Sequence, residues 1–438
     1  MAKKKETSIA PIDLADGAFP SLHDLLRKDD KKGLFDRSTA SLGMPTGFLP
    51  LDYRNGYKMK VFGHDDLVVS EYNNIGIFGG TFNTIIGKTG TAKTTLATQM
   101  AANISRYFEK KFGKYAEIYH LDAEQASNYT RTKTLTNFTI DELDQRYHLN
   151  QESTFIEDIF TIFKQTADMK EAYKQYFTVN TGIKNEFNED ITCYVPTIFI
   201  VDSLPSISIR EGDEKKNEEL QTGTYANRVA KAISRFYKTT IPWVKKYNFI
   251  VFVINHINQK ITMGTPTSPQ TMYLKMDESL PGGVAPLYYA HNIFKIVAAE
   301  KRLVDKHGFD GFRARIELLK SRSNKAGKFC HLIYNQEIGF DPYASLYDYL
   351  NEDCKLVEGR NPYRYIAGFD NIKFDDRKFG DEVRNNQELY KALYATSSTA
   401  LDDILSNSKF NPVDSPTDVT HLFTSLSESY ANDETIEP

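Results

Sequence analysis

A short β-branched run leads directly into a loop of glycine and threonine residues, and the loop leads into an amphipathic helix. The run is Asn83–Ile86, and the loop reads Gly87-Lys-Thr-Gly-Thr-Ala-Lys-Thr-Thr95. Apolar residues then recur at helical spacing, at Leu96, Met100, Ala101, Ile104 and Phe108. The backbone N–H groups of such a loop and of the first helical turn face one point, which favours an anion there. This unit restricts the chain to folds in which helices pack on a sheet.

Further short β-branched runs alternate with helical stretches. They are Glu117–Leu121, Thr197–Val201, Phe249–Ile254, Asn292–Ala298, Arg313–Leu319 and Cys330–Tyr334. Runs without polar alternation are typical of buried parallel strands that helices cover on both faces. We therefore expect an α/β fold with a mostly parallel central sheet.

Composition excludes several classes of protein. The 438 residues are 40% hydrophobic, which suffices for a large core, and 54 basic against 58 acidic residues give a net charge of -4, which indicates no polybasic surface. Six of the acidic residues and no Lys or Arg lie in residues 410–438.

The three cysteines form no CxxC motif, so we expect neither disulfides nor a zinc site. A reducing cytoplasm fits this cysteine usage. The longest apolar runs have the length of strands, too short to span a bilayer.

The glycine loop, residues Gly87–Thr95, fits the pattern G-x-x-x-x-G-K-[ST] except at Ala92, which replaces the second glycine. In loops of this pattern the lysine meets the β- and γ-phosphates and the next hydroxyl binds Mg²⁺, which assigns these roles to Lys93 and Thr94. The rest of the candidate nucleotide-binding loop is Gly87, Lys88, Thr89, Gly90, Thr91, Ala92 and Thr95. We expect Ala92 to be tolerated at negative φ. A strand-to-helix turn without a ligand is the competing interpretation.

Acidic residues end two other predicted strands. Asp202 follows Thr197–Val201 and is the candidate second metal ligand, although it could instead cap the next turn. Asp122 and Glu124 follow Glu117–Leu121, and one of them could polarise an attacking water. The residues alone do not choose between these two.

In their order along the chain, these motifs resemble those of the RecA family of strand-exchange ATPases, most closely its phage UvsX-type branch. The resemblance covers Pro45 to Glu358. The segments that carry it are Asp122–Glu124, Ile200–Ser203, Val253–His256, Leu280–Ala290, Leu319–Arg322 and Gly339–Tyr343. Ala92, His256 in place of glutamine, and a long insert between Tyr129 and Thr197 depart from the family pattern.

The resemblance implies a RecA-like ATPase core that binds ATP and Mg²⁺. It selects Glu124 as the residue that activates water, and His256 as the sensor of the γ-phosphate. Lys320 and Arg322 would enter the ATP site of the neighbouring subunit, and Tyr129 is a candidate for stacking on the base. The protein would then be a DNA-dependent ATPase that forms filaments on single-stranded DNA and promotes homologous pairing and strand exchange.

Two long polar stretches, Ser203–Thr224 and Asn258–Gly282, are the expected DNA-binding loops, with mobile surface loops as the competing interpretation. Their charges are acidic or balanced, so backbone amides, hydroxyls and a few cations would hold the phosphates. The candidates for DNA contact are Arg210, Lys260, Lys275, Gly282 and Gly283. Expected partners are single-stranded and double-stranded DNA and further copies of the chain, with single-strand-binding and mediator proteins as further candidates, and no membrane.

The expected organisation is an N-terminal oligomerisation segment (1–45), the ATPase core (46–358), a C-terminal helical region (359–409) and an acidic tail (410–438). The first segment contains a short amphipathic patch at Leu22, Leu25 and Leu26. A helix around Phe155–Tyr176, a polar connector at Asn180–Asp190 and a helix over Asn386–Ser406 are also predicted. The last helix would place Leu389, Leu393 and Tyr394 on one face.

Two other functions fit parts of the sequence. A RecA-core hexameric replicative helicase shares the Lys320-Ser-Arg322 pattern, but such helicases have a helical domain before the loop, and only 86 residues precede Gly87 here. A recombination mediator that does not hydrolyse ATP would not need all of Lys93, Thr94, Glu124 and Asp202.

Overall fold

The computed structural model describes residues 41–63, 67–210, 224–259, 271–301, 310–360 and 362–408, all of which belong to one unit. Its centre is a sheet of nine strands. In chain order they are β1 (Thr81–Gly87), β2 (Glu117–Asp122), β3 (Tyr147–Asn150), β4 (Thr197–Asp202), β5 (Phe249–His256), β6 (Asn292–Lys301), β7 (Gly311–Ser321), β8 (Lys328–Asn335) and β9 (Gly339–Asp341). Predictions about Leu22, Leu25, Leu26, Lys260 and the tail 410–438 lie outside the described residues.

The spatial order of the strands is β9-β8-β7-β6-β1-β5-β4-β2-β3. The five pairings from β6 to β3 are parallel, which confirms the mostly parallel sheet. The three pairings from β6 to β9 are antiparallel. Short connections explain this change, because a parallel pairing needs a crossover of a dozen or more residues.

Side chains of the central strands alternate between two cores. Ile85, Ile200 and Phe252 belong to the core beneath the helix that follows the glycine loop. Phe199, Val201 and Val251 belong to the core on the other face. Since successive strand residues point to opposite faces, both faces of these strands are apolar and both need a cover of helices.

The helices are α1 (Leu49–Arg54), α2 (Lys93–Phe112), α3 (Tyr129–Thr136), α4 (Ile140–Arg146), α5 (Ile156–Ala172), α6 (Lys174–Phe177), α7 (Thr224–Lys246), α8 (Ala285–Tyr289), α9 (Pro342–Asp348), α10 (Phe379–Asn385) and α11 (Gln387–Ser406). Helix α2 covers one face of the sheet, and α5 and α7 cover the other. Of the helices in the described residues, none has the length and apolarity to cross a membrane.

The stretch between Tyr129 and Thr197 is ordered around the edge of the sheet. Helices α5 and α6 confirm the predicted helix around 155–176, whereas the predicted connector at Asn180–Asp190 is wrong. A β-hairpin of Thr178–Lys184 and Asp190–Tyr194 stands there instead. The asparagines form its turn: Asn185 Oδ1 accepts hydrogen bonds from two turn amides, and Asn188 adopts φ of 61°. The polar residues of this stretch therefore form a turn between two short strands.

Further two-stranded ladders join Gly43–Met44 with Ile77–Phe78, Tyr57–Phe62 with Val68–Asn74, and Asn258–Gln259 with Glu278–Ser279. The C-terminal region adds a small sheet of Val357–Arg360, Tyr363–Ile366 and Phe374–Asp375. Helix α11 begins where Asn386 caps it, as predicted. Leu389 and Leu393 are buried, but Tyr394 is exposed because it lies about 100° around the helix from Leu393.

Candidate functional site

The carboxyl ends of four parallel strands meet at one edge of the sheet. Gly87, the last residue of β1, pairs in register with His256 of β5, and Asp202 of β4 pairs with Asp122 of β2. In open α/β sheets this edge is where ligands bind. The glycine loop, Glu124, Asp202 and His256 are thereby brought together by strands distant in sequence.

The glycine loop closes on itself through its own lysine. Lys93 is 5% exposed, and its Nζ donates a hydrogen bond of 2.9 Å to the carbonyl of Lys88. Thr91 Oγ1 donates to the same carbonyl at 2.9 Å, while Lys88, Thr89 and Gly90 are exposed at the tip. Burial lowers the pKa of Lys93, although the charges of Asp202 and Glu124 oppose that shift. A buried ammonium group next to an exposed loop tip is suited to an anion.

The backbone at Ala92 differs from the expectation. Its φ is 60° and its ψ is 36°, so the residue is left-handed and not at negative φ. The residue stands immediately before helix α2, where the chain must turn sharply, and the glycine that the pattern has there would adopt this conformation without a steric penalty. Ala92 therefore strains the loop.

Replacing Ala92 by glycine should relieve this strain. We expect Ala92→Gly to raise the free energy of unfolding by about 0.5–1 kcal/mol. Glycine removes the steric cost of the left-handed conformation, and part of this gain is lost because glycine has more conformational entropy in the unfolded chain. Chemical denaturation would measure it. Ala395→Gly is the matched control, because Ala395 is exposed inside helix α11 and its replacement should lower stability by about 1 kcal/mol. A loss of stability in both variants would contradict the strain.

Thr94 and Asp202 form the direct link between the glycine loop and β4. Thr94 Oγ1 donates a hydrogen bond of 2.5 Å to Asp202 Oδ2, and Asp202 is buried. Hydroxyl and carboxylate oxygens are the ligands that Mg²⁺ prefers. The two predicted metal ligands therefore lie within reach of one cation.

Glu124 lies at the centre of a second group of contacts. Its Oε1 accepts hydrogen bonds from Ser203 Oγ and from His256 Nε2, the latter at 2.7 Å. Burial would raise the pKa of Glu124, but these hydrogen bonds and the charges of His256 and Lys93 outweigh burial, and its pKa lies below the ordinary value. A third of the side chain remains exposed, so the carboxylate is ionised and open to solvent.

Asp122, the other candidate for the water-activating residue, is placed differently. Its Oδ2 accepts hydrogen bonds from the Ser127 backbone at 2.8 Å and from Gln151 Nε2 at 2.9 Å. The side chain is 1% exposed. Of the two acids, only Glu124 has an accessible carboxylate beside the glycine loop.

Lys320 and Arg322 lie away from the glycine loop of their own chain. Lys320 of β7 pairs with Ile293 of β6, and Ile293 pairs with Thr84 of β1. Thr84 lies three residues before Gly87, so the Lys320 backbone is roughly 10 Å from Gly87 along the strand direction and two strands away from it. Its Nζ donates to the carbonyls of Leu287 and Tyr288 at 2.9 and 2.8 Å, and burial, aided by Arg322, lowers its pKa to about 8. Within one chain these cations and the loop do not meet.

The segment after the second predicted DNA loop is tied to the sheet. Asn255 Nδ2 donates to the carbonyl of Pro281 at 3.0 Å, next to Gly282 and Gly283, which both have positive φ. A Cβ at Gly282 would lie 3.0 Å from Leu204, so a side chain there would press on the residues that follow β4. This segment therefore connects the end of β5 with both predicted DNA loops.

A buried ion pair holds the described part of the second loop. Lys295 Nζ donates to both carboxylate oxygens of Glu278 at 2.7 and 2.8 Å, and both residues are buried. Lys275, a predicted DNA contact, and Met276 are exposed just before Glu278. The pair thus fixes the loop end while its preceding side chains face solvent.

Two other predicted contacts have neighbours of their own. Arg210 is exposed, its guanidinium donates to Asp158, and it lies over the ring of Phe155 at 5.0 Å. Tyr129 is 50% exposed at the start of α3, and its hydroxyl accepts a hydrogen bond from the Leu149 amide at 3.4 Å. Neither side chain contacts the glycine loop residues described above in any hydrogen bond of the described structure.

Helix α7 carries a set of cations that the sequence analysis did not single out. The helix contains no acidic residue, and its basic residues are Arg228, Lys231, Arg235, Lys238, Lys245 and Lys246. Those from Arg228 to Lys238 recur at intervals of three and four, which places them along one side. Lys231 and Lys238 also line a cavity with Gly283 and Tyr288. Helical spacing of cations in an acid-free run was the signal that could have revealed them.

A scan of the chain against protein-family models found no match, and a search of curated proteins found none either. The resemblance to the RecA family therefore rests on the sequence motifs alone.

Proposed function

We propose that this chain is an ATPase that assembles on single-stranded DNA and promotes homologous pairing and strand exchange, as its resemblance to RecA-family recombinases suggests. The observation that carries the proposal is the convergence of Lys93, Thr94, Asp202, Glu124 and His256 at the carboxyl edge of the parallel strands. Each of these residues was singled out in the sequence for a role in ATP hydrolysis.

The residues fit ATP and Mg²⁺. The buried Lys93 ammonium and the loop amides would hold phosphate oxygens, and Thr94 with Asp202 would hold the cation. Bound Mg²⁺ would supply charge neutralisation for the phosphates. The direct hydrogen bond between Thr94 and Asp202 brings both oxygens to one point.

Glu124 is the proposed general base. Its depressed pKa keeps it ionised at neutral pH, and its exposed part lets it orient a water molecule. His256 holds the Glu124 carboxylate, and Asn255, the residue before it, holds Pro281. A movement of the Glu124 side chain would therefore be transmitted to the segment at Gly282 through His256 and Asn255, which are adjacent residues of β5.

Lys320 and Arg322 act in this proposal across a subunit interface. The sheet register separates them from their own glycine loop, so a role at an ATP site requires a second copy of the chain. A head-to-tail contact of this kind, repeated between copies, gives a filament or a ring. Hydrolysis then depends on assembly.

The proposed DNA surface includes helix α7 as well as the two loops. The exposed cations Lys231 and Arg235 line one cavity with Arg210, and Lys231 and Lys238 line another with Gly283. The helix itself has no acid, and Glu157 is the one acid among the residues that line these two cavities. Such an excess of cations attracts a phosphate backbone regardless of sequence. This surface supplies the positive charge that the loops lack.

Removing two of these cations should weaken DNA binding in a salt-dependent way. For Lys231→Ala combined with Lys238→Ala we expect the slope of log affinity for single-stranded DNA against log salt to fall by roughly 1.4, about 0.7 for each phosphate that the protein no longer neutralises. Fluorescence anisotropy at several salt concentrations would measure it. Lys391→Ala, an exposed cation on α11, is the control and should leave the slope unchanged. An unchanged slope in the double variant would remove α7 from the DNA surface.

Electron microscopy tests the assembly. With single-stranded DNA and a non-hydrolysable ATP analogue, the proposal expects helical filaments that disappear when Lys93 is replaced by alanine. Closed rings would favour the hexameric helicase, and unassembled particles on DNA would favour a mediator.

A further inference from the structure

Three buried side chains below the glycine loop form a compact group. His120 and Asp122 lie on β2, two residues apart on the same face, and Asp202 lies beside them on β4. One ligand atom from each lies within 4.8 Å of the others. Among the described residues this is the only group of three His, Cys, Asp or Glu side chains with such a spacing.

Two polar atoms in this group have no hydrogen-bond partner in the described structure. They are His120 Nε2 and Asp122 Oδ1, and both residues are 1% exposed. Leaving a buried polar atom unpaired is unfavourable, because the atom loses its hydrogen bonds to water and gains none in return. Two such atoms in one group point to a ligand that both atoms bind.

The ring orientation of His120 supports this. Its Nδ1 lies 2.8 Å from the hydroxyl of Tyr147, and that hydroxyl lies 3.4 Å from Thr98 Oγ1. Nδ1 can therefore donate to Tyr147 while Tyr147 donates to Thr98, which leaves a lone pair on Nε2. A hydrogen-bonded outer partner that fixes the tautomer is typical of metal-binding histidines.

The spacing of Nε2 and Asp202 suits a shared cation. Nε2 lies 3.7 Å from Asp202 Oδ2, too far for a hydrogen bond. Two ligands that are each about 2.0–2.2 Å from a metal are at most about 4.4 Å apart. Asp122 Oδ2 is held by Ser127 and Gln151, so Oδ1 is the oxygen left for a metal.

We propose that His120, Asp122 and Asp202 bind a divalent transition-metal ion such as Mn²⁺ in the absence of nucleotide. The imidazole nitrogen favours a transition metal over Mg²⁺, which prefers oxygen ligands. The inference does not rest on the proposed function, although the two sites share Asp202. The metal would fix the end of β4 against β2 while the nucleotide site is empty.

Pulsed EPR of Mn²⁺ added to the nucleotide-free full chain tests the site. We expect coupling of bound Mn²⁺ to a nitrogen nucleus in the wild type, loss of this coupling in His120→Gln, and Mn²⁺ affinity at least about tenfold weaker in that variant. His148→Gln is the control, because His148 lies on the neighbouring strand outside the group, and it should keep the coupling. Asp122→Asn should keep the coupling but bind Mn²⁺ more weakly.

Other outcomes overturn the proposal. Saturating Mn²⁺ without nitrogen coupling in the wild type, or coupling that persists in His120→Gln, would show that His120 is not a ligand. The wild-type result decides this even if His120→Gln does not fold. Lys93→Ala, which should abolish ATP hydrolysis, should leave the nucleotide-free signal intact, so failure of the ATPase proposal and failure of the metal site give different results.

Discussion

Chains with Lys320→Ala and chains with Glu124→Gln should each be almost inactive alone, and should recover activity when mixed. Cations supplied to an ATP site by a neighbouring subunit contribute about 10³- to 10⁵-fold to the rate in other phosphate-loop ATPases, so Lys320→Ala should lose activity on that scale. The sheet register places Lys320 out of reach of its own glycine loop, which is why the loss should be repairable by a partner.

The ATPase activity that should return in the mixture follows from how the two variant chains combine at each interface. An interface is active when the chain with Lys320→Ala supplies Glu124 and the chain with Glu124→Gln supplies Lys320. With random assembly of equal amounts, this arrangement occurs at about a quarter of head-to-tail interfaces, so about a quarter of the wild-type ATPase rate should return. Lys325→Ala is the control, because Lys325 is an exposed cation just beyond β7 and should retain the wild-type rate. A mixture no more active than its separate components would contradict the shared site.

Glu124→Gln should lower the rate of ATP hydrolysis by about 10²- to 10⁴-fold without weakening ATP binding, because an amide keeps the size of the side chain but cannot accept a proton. Single-turnover hydrolysis measures the chemical step, and a fluorescent ATP analogue measures binding. The carboxylate is held by Ser203 and His256, and the amide oxygen can accept the same hydrogen bonds.

Glu152→Gln is the matched control. Glu152 is an exposed glutamate that follows β3, and its replacement should change neither rate nor affinity. Loss of ATP binding in Glu124→Gln would assign Glu124 a structural role. A wild-type rate would exclude Glu124 as the general base.

The sequence predicted the parts of the fold that depend on local pattern. The apolar runs at β1, β2, β4 and β5 predicted buried strands, because both faces of these strands are covered and no polar alternation interrupts them. The three antiparallel pairings from β6 to β9 and the hairpin at 178–194 were missed. Strand direction follows from connection length and pairing, and periodicity contains neither.

The residues of the candidate site were named from the sequence, but their contacts could not be predicted from it. The loop pattern predicts the roles of Lys93 and Thr94 from local sequence, because a single turn of the chain positions both side chains. The choice between Asp122 and Glu124 depends on Ser127, Gln151 and His256, which only the folded chain brings near. The glycine that the loop pattern has at position 92 was a signal of the left-handed backbone there. The unpaired nitrogen of His120 results from packing, and no motif indicates it.

The central claim is that ATP hydrolysis depends on assembly on single-stranded DNA. Its most direct test is the steady-state ATPase rate of the full chain with and without single-stranded DNA, measured beside Lys93→Ala. We expect slow hydrolysis by the wild type alone, a large increase with single-stranded DNA, and no hydrolysis by Lys93→Ala in either condition. A wild-type rate that is zero with DNA, or the same with and without DNA, would show that hydrolysis does not depend on assembly on DNA.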